Sequence, residues 1–108
     1  MIEVIYYKEH NRLTVQGHAR SDEFGRDLVC ASASILAVTI GANVGHLEES
    51  GLVTDVSVRL DPGDAEISCK PKTKFRNVVK QTFQSVCVGF EILANKYPEY
   101  ISFAVRGW

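Results

Sequence analysis

Val53-Thr54-Asp55-Val56-Ser57-Val58-Arg59-Leu60-Asp61-Pro62-Gly63-Asp64-Ala65-Glu66-Ile67-Ser68-Cys69 is the stretch that decides the fold. Val56, Val58 and Leu60 alternate with Ser57 and Arg59, then Ala65, Ile67 and Cys69 alternate with Glu66 and Ser68. A period of two is that of a strand with one face on a core. Asp61-Pro62-Gly63-Asp64 between the two runs is a turn: proline presets one φ and glycine admits a positive one. The stretch reads as an antiparallel hairpin.

The same pattern appears at the start of the chain. Met1–Tyr7 is rich in Ile, Val and Tyr, and Glu9-His10-Asn11-Arg12 is a polar turn. Leu13, Val15 and Gly17 then alternate with Thr14, Gln16 and His18, which makes a second hairpin. Between the hairpins, a polar loop from Ala19 to Arg26 leads into Val29, Ala33, Leu36 and Ile40, spaced as one helical stripe. Asp27 stands where an N-cap or first-turn carboxylate is favoured, and Gly51 is a stop, so this helix is expected from about residue 27 to about 49. Gly41 and Gly45 inside it suggest close packing. Thr73 is read as the cap of a second helix carrying Phe75, Val79, Phe83, Val86, Phe90 and Leu93 on one side, with Pro98 beyond its end. Tyr100–Val105 is a last strand.

The order β-β-α-β-β-α-β implies an α+β two-layer sandwich, a mainly antiparallel sheet with two helices on one face. Its exposed sheet face or an edge strand would be the surface of a homodimer. With 108 residues and no repeat or linker, residues 1–108 read as a single domain. Twelve Lys+Arg against thirteen Asp+Glu leave a net charge of −1, which gives no footprint for direct nucleic-acid binding. No run is expected to reach the ~18 apolar residues of a membrane span. Met1-Ile2-Glu3-Val4 does not read as a secretory signal.

Three cysteines cannot all pair within one chain, so free thiols in a cytoplasmic protein are expected. Cys69 is in phase with Ala65 and Ile67, and Cys87 lies one turn after Phe83, so both read as buried filler. Cys30 is placed at the start of the first helix, where free N–H groups and the positive end of the dipole stabilise an anion such as a thiolate. A nucleophilic cysteine in a hydrolase needs a base. His10 lies in a turn and His46 lies several turns down the helix, whereas His18 ends a strand just before the loop that leads to Cys30. His18 is out of phase with Leu13 and Val15, so it reaches the site only if the strand ends or twists at Gly17. There is no C-x-x-C, no H-x-x-x-H, no phosphate-binding glycine motif and no nucleotide fingerprint, so neither a metal nor a cofactor is expected.

Gly17-His18-Ala19 followed by Gly25-Arg26-Asp27-Leu28-Val29-Cys30-Ala31-Ser32-Ala33-Ser34 resembles the ribosomal-processing cysteine protease family Prp. That family carries a G-H-A strand end, a glycine-containing loop and a helix opening G-x-D-[IL]-V-C-A-A-x-S. The resemblance implies Cys30 as catalytic nucleophile and His18 as catalytic base, with Asp27 and Ser34 in supporting places. Ser32 stands where alanine is commoner, and the loop at residues 20–24 is more acidic than expected. The resemblance further implies a cytoplasmic, cofactor-free homodimer that removes a short N-terminal extension from the twenty-seventh large-subunit ribosomal protein, cutting after a stretch that ends in Phe-Ala or similar. On this reading Asp27 or Gln16 orients the imidazole, N–H groups near Leu28 to Cys30 hold the oxyanion, and residues 19–26 form a lid hinged at Gly17 and Gly25. Two other readings of the same thiol stand beside it, a peroxide-sensing redox protein and a non-catalytic peptide-binding module of ribosome assembly.

Overall fold

The stretch from Val53 to Cys69 folds as β3 (Val53–Asp61) and β4 (Asp64–Pro71), antiparallel through Val58↔Ile67 and Leu60↔Ala65. The computed structural model describes residues 1–18 and 24–107, residues 24–27 by backbone alone. The remaining elements are β1 (Ile2–Tyr7), β2 (Arg12–Gln16), α1 (Phe24–Glu49), a single 3-10 turn at Thr73–Phe75, α2 (Arg76–Lys96) and β5 (Ile101–Arg106). They form the expected α+β arrangement, with one five-stranded sheet in the order β3-β4-β2-β1-β5. Three neighbour pairs are antiparallel, and β5 joins β1 in parallel.

Register explains which face is apolar. Tyr6 opposes Leu13, Leu13 opposes Ile67, and Ile67 opposes Val58, so these side chains share one face. Glu3, Gln16, Asp64 and Arg59 fall on the other. In β3, Val53 is out of step with Val56, Val58 and Leu60. A bulge between Thr54 and Ser57, with Asp55 at φ 52, adds the residue that returns buried Val53 to the apolar side.

Both helices cover that face. A Cβ on Gly41 of α1 would lie 3.1 Å from Val58 Cγ1, and the Phe83 ring of α2 stacks on Tyr6 at 5.7 Å between centroids. One on Gly89 of α2 would lie 2.7 Å from Leu36 Cδ2, so the helices meet there. Gly45 has nothing within 4 Å, so of the two glycines read as packing sites only Gly41 is one. Leu13, Ile40, Ile67, Phe83 and Phe90 are fully buried at 0% exposure, each contributing roughly 1.5–3 kcal/mol by removal from water.

Three expectations need correction. The first helix starts at Phe24, not near Asp27, so Asp27 closes its first turn and Cys30 stands in its second. Thr73 is no cap: Lys72 is extended, the Phe75 N–H donates to the Lys72 carbonyl at 2.8 Å, and this tight turn carries the chain into α2 without a side-chain cap. Finally, Leu28–Glu49 has a mean hydropathy of 1.8 and is by length and composition apolar enough to cross a membrane. Here Val29, Ala33, Ala37, Ile40 and Val44 face the core, while Leu28, Ile35 and Val38 of the same segment are exposed.

Candidate active site

The strand β2 stops at Gln16 because Gly17 takes φ +106, a conformation that breaks the alternation. His18 therefore no longer obeys the phase of Leu13 and Val15. The Gly17 N–H donates to the Gly63 carbonyl at 2.9 Å, and the amino terminus of Met1 donates to the His18 carbonyl at 3.0 Å. A Cβ on Gly17 would sit 2.2 Å from the Met1 carbonyl oxygen, so the β1 start and the β3–β4 turn both close on this position. The backbone before His18 is thus held on two sides, while the His18 side chain is exposed.

Cys30 lies between fully buried Val29 and exposed Ala31, packed against the edge of the core and half-buried. It differs from the other two thiols. Cys69 is 5% exposed and burial pushes it up to about 11, from an ordinary 9.0. Cys87 is 6% exposed and is pushed up to about 12, by burial first and the Glu91 charge second. Both are neutral thiols closed off from solvent, and all three cysteines are free. Only Cys30 combines a thiol with access to the surface.

The other residues singled out in the sequence fall as follows. Gln16 donates its side-chain amide to Asp64 Oδ1 at 3.3 Å, so its hydrogen bond goes to the hairpin turn and not to the imidazole. The Asp27 side chain, Ala19–Glu23 and with them most of the expected lid lie outside the described residues. Gly25, expected as a loop hinge, has helical backbone because α1 begins before it. For the same reason the N–H groups of Leu28 to Cys30 bond to carbonyls four residues back and are not free for an oxyanion. Ser34 is exposed one turn beyond Cys30. Ser32 donates its hydroxyl to the Leu28 carbonyl at 2.7 Å. His10 and His46 are exposed, and His46 lies about 24 Å from Cys30 along the helix axis. Among the described residues, no hydrogen bond joins His18 to Cys30, and no group of three His, Cys, Asp or Glu could hold a metal ion.

Sequence reasoning passed over a second feature. A cavity of about 610 Å³ opens at the other end of β2, lined by Lys8, His10, Lys70, Arg76 and Lys80 among others. The signal was present as five cations in residues 70–80, hidden by the near-zero total charge.

The fold is shared with solved structures. SMU.848 from Streptococcus mutans aligns over 99% of this chain and 93% of its own at 23% identity, with a TM-score of 0.67. The essential ribosomal processing protease Prp of S. aureus, in complex with a substrate peptide, aligns over 97% of both chains at 18% identity and a TM-score of 0.68. The same protease with a covalently linked product peptide matches over 97% of both chains at 19% identity and a TM-score of 0.68. No curated protein matches. The family model of cysteine protease Prp matches residues 1–102, nearly the whole chain, and the chain belongs to this family of cysteine proteases.

Proposed function

We propose that the protein is a ribosomal-processing endopeptidase that removes a short N-terminal extension from the twenty-seventh large-subunit ribosomal protein, with Cys30 as nucleophile and His18 as base. The observation that carries the reading is the selection among thiols: Cys69 and Cys87 are buried and held protonated, and Cys30 alone reaches the surface, in the segment that matches the family motif. The S. aureus relative, whose fold this chain shares, is a ribosomal processing protease crystallised with a substrate peptide and with a covalently linked product.

In this mechanism His18 takes the Cys30 proton, and the sulfur attacks the scissile carbonyl to form a tetrahedral oxyanion. The C–N bond breaks as the imidazolium protonates the leaving amine. Water then attacks the thioester, giving a proton to His18; the C–S bond breaks, the acyl group leaves as the carboxylic acid, and the imidazolium returns its proton to the Cys30 sulfur. Such hydrogen bonds tighten when substrate binds, consistent with the pair being unbonded in the free protein. The redox reading loses support because its two possible resolving thiols are both buried.

The enzyme is proposed to act as a cytoplasmic homodimer. Leu28, Ala31, Ile35, Val38 and Ala42 form an exposed apolar stripe at helical spacing along α1, which supports this helix as the dimer surface over the sheet face or edge strand expected from the sequence.

The test is cleavage of a peptide spanning the ribosomal-protein extension, followed by mass spectrometry. Cys30→Ser and His18→Ala are expected to lose turnover by several orders of magnitude while keeping the wild-type melting temperature. Cleavage by Cys30→Ser at the wild-type rate would refute the mechanism.

A further inference from the structure

The His18 ring rests on a glycine that belongs to a different part of the chain. Gly63 is the φ +72 residue of the β3–β4 turn. A Cβ built on it would lie 2.1 Å from His18 Nε2, 2.2 Å from Cε1 and 2.9 Å from Cδ2. The space that any other residue's side chain would occupy is filled by the imidazole. The turn itself is tied down around this point. The Gly63 carbonyl accepts the Gly17 N–H at 2.9 Å, Asp64 pairs with Arg59, and Gln16 donates to Asp64. In the ladder Asp64 stands opposite Gln16, so the turn is in register with the end of β2.

We propose that Gly63 is a positioning residue for the protease: its bare Cα leaves the place in which the exposed His18 ring rests, and a side chain there would make the ring swing away. The inference rests on the reading of His18 as the base. Glycine is required here for two separable reasons. The positive φ disfavours most side chains, and asparagine meets that condition at small cost. The lack of a Cβ leaves room for the ring, and asparagine does not meet that condition. Gly51 offers the matched control. It has φ +77, and a Cβ there would find only Lys72 Nζ, at 3.9 Å.

The experiment compares Gly63→Asn, Gly51→Asn and His18→Ala with the wild type. Gly63→Asn is expected to fold with a melting temperature close to that of Gly51→Asn and to keep KM within about threefold. Its kcat should fall about 10²-fold, the cost of a displacement of about 1 Å at a reacting group. The His18 ring resonances should shift in Gly63→Asn and stay in place in Gly51→Asn, a difference that a general loss of stability would not produce. In the wild type, nuclear Overhauser contacts should join the Gly63 α protons to the His18 ring, so the claim is testable even where Gly63→Asn fails to fold. Absence of those contacts overturns this placement of the ring. An inactive His18→Ala beside a Gly63→Asn of wild-type kcat overturns the positioning role alone. A fully active His18→Ala overturns the reading of His18, and the catalytic role of Gly63 with it.

Discussion

The three thiols should react with a disulfide reagent in two separate phases, and the gap can be worked from their surroundings. Exchange needs the thiolate. At neutral pH, a group raised from 9.0 to about 11 has about 10²-fold less thiolate, and one raised to about 12 has about 10³-fold less. A more basic sulfur is intrinsically more nucleophilic. A Brønsted slope of about 0.45 returns roughly eightfold for Cys69 and roughly twentyfold for Cys87. Ionisation alone then slows Cys69 about tenfold and Cys87 about fiftyfold against an ordinary thiol.

Burial adds to this, because residues 5% and 6% exposed must wait for local opening before a bulky reagent arrives. The assay is native labelling with an aromatic disulfide, quenched at intervals and read by peptide mass. Cys30 should label first and alone, and all three should label alike in denaturant. Labelling of Cys87 as fast as Cys30 in the native protein would refute the division of the thiols on which the site assignment stands.

Phe83→Ala should cost about 3–5 kcal/mol in urea unfolding, since the ring is fully buried and stacked on Tyr6; a loss under about 1 kcal/mol would contradict that packing. Alkaline pH should destabilise the fold. Tyr6 is raised from 10.0 to about 12, by burial first, and its hydroxyl has no hydrogen-bond partner among the described residues, while Cys69 and Cys87 are raised from 9.0. A raised folded value favours the protonated native state, so this stability is complete below pH 9 and is lost as pH climbs through 11 to 12. A melting temperature flat across that window would refute the shifts. For the proposed homodimer, Ile35→Glu, at 62% exposure on the outer stripe of α1, should yield a monomer in light scattering without lowering peptide cleavage by each folded chain more than a few-fold. A dimer unchanged by this charge would place the interface elsewhere.

Much of the fold was legible because its signals are local. The 53–69 hairpin announces itself through period and turn chemistry, and the apolar stripe of α2 coincides with its buried Val79, Phe83, Val86 and Phe90. What escaped depended on register or on neighbours. The β3 bulge cannot be read from Val56, Val58 and Leu60, which alternate as in a regular strand. Only the pairing of Val53 with Pro71 shows that a residue has been added. Thr73 had the chemistry of a cap, but extended Lys72 leads into a 3-10 turn whose bond uses the Lys72 carbonyl. The start of α1 was misjudged by three residues because Phe24-Gly25-Arg26 carries no apolar period, and a helix end is the least periodic part of a helix.

The site divides along the same line. The Cys30 and His18 assignments came from a short motif, and burial of the other two thiols agrees with the phase of Cys69 and the helical spacing of Cys87. The role of Gly63 could not be read, although the residue was noticed, because its turn signal already had a sufficient local cause. Proline followed by glycine explains a reversal of direction and leaves nothing over. The second demand on Gly63 arises when β4 pairs with β2 in the register that sets Asp64 opposite Gln16. That register places the turn one residue from Gly17, and Gly17, by leaving the strand at φ +106, delivers the next side chain across the turn. A slip of one residue would send the imidazole to a position carrying a Cβ. The hairpin that determines the architecture of the sheet therefore also determines where the His18 ring can rest, and a residue with an adequate structural excuse is where such a second demand is hardest to see.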